Sequence, residues 1–299
     1  MMINSKVAVI IVNWKKYHIT SSCIESILNS TTNSNFKIIL VDNESDNKKV
    51  KNFKYRNEIE IIQNKKNEGF SKANNIGIDY ALKNNYDYTI LLNNDTIVEK
   101  NLIETLLKIA QAKNFSVLQP LILNYNGKEI WNAGGRINYL FGNFITKKIL
   151  VNSLDSSHEL TEWFTGCCCL FKTKIFKEIG KLDERFFAYY EDVDFSLRLK
   201  KNRYKIGFTS ETQIYHHESF SSISNNFKGG KLSPYVHYLN IRNHILVLKK
   251  HSDLFNSFGT RLFQIFKIMS YCIYFIFKLR FTKLNMVYKG LVDSYKIKI

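Results

Sequence analysis

Short runs of aliphatic and β-branched residues, each followed by a polar cluster and then a helical stripe, constrain this chain more than any other feature. Residues 7–12 (Val, Ala, Val, Ile, Ile, Val) end in Asn13 and Trp14, and residues 36–41 end in Asp42 and Asn43. Residues 88–92 end in Asn93, Asn94 and Asp95, with a weaker run at 59–63. Runs of this length read as fully buried strands. Between them Ile19, Cys23, Ile24, Ile27 and Leu28 mark one helix face, and Ala73, Ile76, Gly77, Tyr80 and Ala81 mark a second, with Ser71 as its expected N-cap. Such alternation predicts an α/β fold: right-handed crossovers and a Rossmann-like, mostly parallel sheet flanked by helices, with the strand ends gathered at one edge.

Ligands in open α/β sheets bind at that edge. Asn13, Asp42 and the Asn94–Asp95 pair are therefore the first candidate site residues. Asp95 offers a hard cation one carboxylate and leaves its other positions to water and phosphate oxygens, the usual arrangement for Mg²⁺ or Mn²⁺. The same residues also suit an Asx turn with an N-cap. The chain lacks the Gly-x-Gly-x-x-Gly fingerprint and the P-loop, which argues against a dinucleotide oxidoreductase and a P-loop phosphotransferase.

Further on, residues 102–110 read as a helix and 117–123 as a strand. Residues 124–160 read as loops and hairpins, 165–171 as a strand, 173–179 and 192–201 as helices, and 205–209 as a strand. A second carboxylate cluster, Glu191, Asp192 and Asp194, opens the last helix, where the macrodipole favours anions. On a helical wheel Glu191, Asp194 and Arg198 share a face, with Asp194 and Arg198 spaced for an ion pair, while Asp192 points elsewhere with Phe195 and Leu199. Near Phe186, Phe187, Tyr189 and Tyr190, Asp192 is placed to act as a general base toward a hydroxyl.

The 43 Lys and Arg against 26 Asp and Glu give a formal net charge of +17, favouring phosphates or an anionic membrane surface. No basic block or zinc-finger or RNP-like signature accompanies it, so nucleic acid is not an expected partner. The five cysteines form neither an even disulfide framework nor a C-x-x-C site. They read as buried thiols of a reducing cytosol, with Cys167, Cys168 and Cys169 alternating between faces of a strand. The N-terminal run is too short for a signal-peptide core, so a cytoplasmic location is expected.

Together these residues resemble the family 2 glycosyltransferases of the GT-A nucleotide-diphospho-sugar transferase fold, closest to their rhamnosyltransferase-like branch. The likeness runs from Val7 to about His251. Val41-Asp42-Asn43-Glu44-Ser45-Asp46 resembles the Val-Asp-Asn-x-Ser-x-Asp motif, with one residue fewer before the last Asp. Asn67-Glu68-Gly69-Phe70-Ser71 with Asn74 and Gly77 resembles the Asn-x-Gly-Phe motif, and Asn93-Asn94-Asp95 stands at the Asp-x-Asp position. The resemblance implies that Asp42 binds a pyrimidine base and that Asn13, Asn67, Gly69, Asn74, Asn94 and Asp95 surround the nucleotide sugar. It implies Asp192 as catalytic base, and Asp95 with His216 as metal or diphosphate ligands. Trp163, Gly166, Glu191, Asp194, Arg198 and Arg242 would contact the acceptor or support the site, Arg242 from a helix start. Asn93 replaces the first Asp of the fuller motif, leaving one certain carboxylate.

The implied activity is inverting transfer of a sugar, rhamnose among the candidates, from a dTDP- or UDP-linked donor to a glycan or lipid-linked acceptor during cell-surface polysaccharide synthesis. The rivals are a nucleotidyltransferase that makes the sugar nucleotide and a non-catalytic glycan- or membrane-binding module. Residues 1–230 are read as the catalytic domain, with a nucleotide-sugar half to about 115 and an acceptor half beyond it. Residues 231–299 form a C-terminal helical region. Its aromatic, Lys-interrupted stretch from Leu262 to Phe281 is short of a transmembrane span and suits a helix on the inner membrane face, or one packed on the catalytic domain or a second subunit.

Overall fold

The computed structural model describes residues 5–31, 34–44, 50–147, 158–217 and 232–299. Ser45 and Asp46 of the second-strand motif, and Glu218 and Ser219 after the His pair, lie outside them.

The buried runs become strands as their composition demands. β1 (Lys6–Asn13), β2 (Asn35–Asn43), β3 (Glu60–Asn64) and β4 (Tyr88–Asn93) are mutually parallel, in the order β4-β1-β2-β3. The chain leaves β3 on one side of β1 and returns in β4 on the other, which makes the β1–β4 boundary a topological switch point. Helices α1 (Tyr17–Leu28) and α2 (Gly69–Lys83) are the crossovers. Cys23, Ile24 and Ile27 of α1 pack with Val7, Val9 and Ile11, while Ala73, Ile78 and Ala81 of α2 pack with Ala8 and Ile10 on the other face. After β5 (Thr96–Val98), helix α3 (Leu102–Ala112) buries Leu102, Leu106, Ile109 and Ala110 against the first of these cores.

Beyond β4 the sheet is mixed. β6 (Val117–Asn124) carries β7 (Ile130–Asn132) antiparallel beside it, and β8 (Gly135–Asn138) and β9 (Asn143–Thr146) pair with each other. β10 (His158–Leu160) and β11 (Cys168–Lys172) follow; β11 runs antiparallel between β4 and β6. After α4 (Ile175–Glu178) and α5 (Glu191–Lys201), β12 (Ile206–His216) pairs with β6 in parallel and with β5 and β10 antiparallel. The strand expected at 165–171 starts three residues late. Thr165 and Gly166 give their amides to Gln119 Oε1 and Asp192 Oδ2 instead of to a neighbouring strand. Cys168 and Cys169 do face opposite cores, and burial pushes the Cys23 thiol up to about 12.

Ser71 does not cap α2. The helix begins at Gly69, and buried Ser71 lies inside it, donating to Phe186 O at 2.5 Å. Gly69 sits at φ +80°, and a Cβ there would stand 2.5 Å from Phe187 O, so only glycine fits.

Two compact units are distinguished. The first comprises Met1–Arg136, Thr146–Phe187 and Glu191–Glu218 and holds the large sheet; the second comprises Ile137–Ile145, Ala188–Tyr190 and Ser219–Ile299. In the second, α6 (Pro234–Lys250), α7 (Ser257–Phe277) and α8 (Phe281–Lys296) meet around Ile241, Ile245, Phe275 and Val287. Asn256 caps α7 by accepting from the Gly259 amide at 2.8 Å. Among the described residues no helix is long and apolar enough to cross a membrane.

Candidate active site

The polar ends of β1, β2 and β4 are joined by one chain of hydrogen bonds, buried at Asp42, Asn13 and Thr20 and partly buried at Asn94. Asn13 Nδ2 donates to Asp42 Oδ1 at 2.9 Å, Thr20 Oγ1 donates to Asn13 Oδ1 at 2.8 Å, and Asn94 Nδ2 donates to Thr20 Oγ1 at 2.9 Å. Buried polar atoms demand such pairing. The link that local patterning does not expose is Thr20, a polar residue on the buried side of α1. Asn43 was likewise unassigned in the sequence. Its Nδ2 donates to Asn67 Oδ1 at 2.8 Å and to Gly69 O at 3.2 Å, and its Oδ1 accepts from the Glu68 amide at 2.9 Å. Asn67 Oδ1 also accepts from the Gly69 amide at 2.9 Å, and Asn74 Nδ2 donates to Phe70 O at 2.9 Å. These bonds shape the loop before α2.

Asp95 is buried, and its backbone carbonyl accepts from the His217 amide at 2.8 Å. Antiparallel pairing of β5 with β12 places Thr96 opposite His216. His216 Nε2 therefore stands 3.3 Å from Asp95 Oδ1, and its ring meets Trp131 edge-on. Asp95 Oδ1 and His216 Nδ1 are buried without a hydrogen bond. A carboxylate oxygen left in that condition beside an imidazole fits a divalent cation completed by ligand oxygens. Among the described residues no group of three or more His, Cys, Asp or Glu able to hold a metal occurs.

The second carboxylate cluster reaches the same edge through β11. Cys168 pairs with Leu92, and the Asn93 amide donates to Cys167 O at 2.8 Å. Gly166, just before β11, thus lies beside the residues that follow β4. Its amide donates to Asp192 Oδ2 at 3.0 Å, and the Val193 amide donates to Oδ1 at 2.8 Å. Burial raises the Asp192 carboxyl above its ordinary range, and these two amides pull it back toward the ionised form.

Glu191 differs. Its Oε2 is buried without a hydrogen bond, and burial, with the neighbouring Asp192 charge, holds its carboxyl well above the usual range. Of the two neighbouring carboxyls, Glu191 is therefore held further toward the neutral form than Asp192, whose carboxylate has two amide donors.

Asp194 is fully buried, and Arg198 Nε donates to its Oδ2 at 3.0 Å. The same guanidinium donates to Ile179 O at 2.8 Å and Lys181 O at 2.7 Å. The expected i, i+4 pair is present, and its other bonds close the turn after α4 rather than face a ligand. Trp163 is buried, with Nε1 donating to Arg136 O at 3.3 Å. Arg242 lies within the second unit. It sits in the middle of α6, not at the helix start expected for it, because Pro234 occupies the first turn. Its Nε donates to Asn243 Oδ1 at 2.8 Å.

A cavity of about 560 Å³ lined by Leu82, Tyr88, Lys172 and Lys177 lies at the opposite edge of the sheet. There Tyr88 begins β4 and Lys172 ends β11, so it is separate from the carboxylates described above.

The chain is similar to known proteins. The chain is 28% identical over 217 residues to the low-salt glycan biosynthesis hexosyltransferase Agl10 of Haloferax volcanii, covering 70% of this chain and 66% of that one. It is 21% identical over 251 residues to the dTDP-rhamnosyl transferase RfbF of Shigella flexneri, covering 83% and 81%. In structure it matches GalNAc-T7, solved with UDP, GalNAc and Mn²⁺, at TM-score 0.64 and 16% identity, over 83% of this chain and 48% of that one. It matches residues 1–349 of S. aureus TarS with UDP-GlcNAc at TM-score 0.55 and 17% identity, over 81% and 66%. These likenesses establish the GT-A fold. The Glycosyl transferase family 2 model matches residues 8–180, more than half of the chain, and the protein belongs to that family.

Proposed function

We propose that the protein is an inverting glycosyltransferase that moves a sugar from a nucleoside diphosphate donor to a hydroxyl of a glycan or lipid-linked acceptor. The observation that carries this reading is the Asp192 carboxylate. It is seated on the Gly166 amide at the sheet edge where Asp42, Asn13 and Asn94 are already joined.

Asp42 and Asn13 would receive the base, and the loop shaped by Asn43, Asn67 and Gly69 would border it. Asp192 would take the acceptor proton while the acceptor oxygen bonds to the anomeric carbon and the bond from that carbon to the diphosphate breaks. One displacement inverts the carbon, and no protein nucleophile is needed. Asp95 with His216 would hold Mg²⁺ or Mn²⁺, which when bound supplies Lewis-acid stabilisation of the diphosphate. A neutral Glu191 would keep a second negative charge away from the base.

Within this reading residues 1–115 serve the donor and 116–230 the acceptor, with 231–299 appended. The name of the Shigella relative makes dTDP-rhamnose the first donor to try; the UDP in two structural neighbours makes UDP sugars the second. Five free thiols accord with a reducing, cytoplasmic location. The test is a screen of nucleotide sugars with Mg²⁺, Mn²⁺ or chelator, read as nucleoside diphosphate release with and without acceptor. Release from no donor under any condition would favour a non-catalytic module. Pyrophosphate release from a nucleoside triphosphate would favour the nucleotidyltransferase.

A further inference from the structure

Helix α7 has two faces of opposite fate. Phe275, with Ile268 and Tyr271 beside it, packs into the core shared with α6 and α8. On the other side Phe258, Leu262, Ile265, Phe266, Met269, Ile273, Ile276 and Phe277 are all exposed, Phe258 at 78%, Ile273 at 65% and Phe277 at 81%. At 100° per residue these eight fall within an arc of roughly 120°, so the exposed residues form one stripe along the helix. Leu279, in the turn after α7, and Phe281, at the start of α8, are also exposed, at 75% and 58%. Contiguous apolar surface of this kind needs a partner.

Charge selects the partner. Residues 257–299 carry eight Lys and Arg against a single carboxylate, Asp293. Arg261 and Lys278, both exposed, stand near the two ends of α7, which itself contains no acidic residue. A second copy laid face to face would bring cations toward cations with no carboxylate on the helix to answer them. An anionic lipid surface meets the stripe with acyl chains and the rim with phosphates. The helix is about 32 Å long at 1.5 Å per residue, yet it is not apolar enough to cross a bilayer. Its geometry is that of a helix lying in the interface.

We propose that the exposed face of α7 docks the protein on an anionic membrane surface. Phe258, Ile265, Met269, Ile273 and Phe277 enter the acyl boundary, and Arg261, Lys278 and Arg280 meet the headgroups. The inference is independent of the transferase reading, because lipid binding is measured without donor or acceptor.

The full chain is mixed with vesicles of phosphatidylcholine alone or with about one third phosphatidylglycerol, and sedimented. The expected result is at least about tenfold stronger partition onto the anionic vesicles, lost in the Ile273→Asp, Phe277→Asp double variant. Both positions are solvent-facing, so the variant should keep the wild-type circular dichroism and melting temperature. As a second readout, Phe277→Trp retains the apolar character, and its added fluorescence should shift to the blue with anionic vesicles. Equal partition onto both vesicles, or no blue shift, would overturn the proposal. So would a concentration-dependent dimer in sedimentation velocity that the double Asp variant abolishes, because the stripe would then be a protein interface.

Discussion

The Gly166 amide and the Asp192 carboxylate, 26 positions apart in the chain, are joined by a 3.0 Å hydrogen bond. This bond holds one carboxylate oxygen just before the start of β11 while the Val193 amide holds the other. Asp192 is thereby oriented before any substrate arrives. Asp192→Asn preserves the shape and removes the base. Turnover should fall about 10²–10⁴-fold while donor affinity measured by calorimetry stays at the wild-type level. Wild-type turnover in the variant would strip Asp192 of its role.

The unbonded Asp95 Oδ1 beside His216 Nε2 leads to a second expectation. Asp95→Ala should weaken donor binding in Mg²⁺ or Mn²⁺ by at least about tenfold, or about 1.4 kcal/mol. It should also make the remaining affinity insensitive to chelator. Titration of the donor with and without chelator checks both, and a variant that still gains affinity from the metal would place the ion elsewhere.

Glu191 controls a pH dependence of stability. Its folded carboxyl is raised well above the ordinary value of 4.5, so the folded state holds a proton that the unfolded state releases as pH climbs past that value. Its contribution is fully present below the unfolded pKa and declines as pH rises toward the folded one. The unfolding free energy of the wild type from urea titrations should therefore drop with rising pH relative to Glu191→Gln, by up to about 1.4 kcal/mol per pH unit in that window. Parallel curves for the two proteins would mean that Glu191 is ionised in the fold.

Arg198 separates support from substrate contact. Its guanidinium neutralises fully buried Asp194 and ties the turn at Ile179 and Lys181. Arg198→Met removes the ion pair to that buried carboxylate, and unfolding free energy should fall by about 3–5 kcal/mol. Acceptor KM in the surviving folded protein should stay near the wild-type value. A large rise in KM with unchanged stability would instead put Arg198 in the acceptor site.

Local sequence was enough to place Asn13, Asp42 and Asp95 at one edge. A buried parallel strand must be apolar along its length, and its first polar residues mark where it leaves the sheet. The helical stripes of α1, α2 and α3 were legible for the same reason, since periodicity reports which face is buried. Periodicity does not report which segments become neighbours. The antiparallel insertion of β11 between β4 and β6, the late start of β11, the burial of Ser71 inside α2 and the position of Arg242 in mid-helix all depend on partners far away in the chain. Thr20 is the same case: nothing beside it in sequence marks it as the link between Asn13 and Asn94. The sequence by itself determined the strand ends and the chemistry each could offer. Only the tertiary structure decided that Gly166 would bring Asp192 to them, because that contact is made by strand pairing and packing rather than by any local preference.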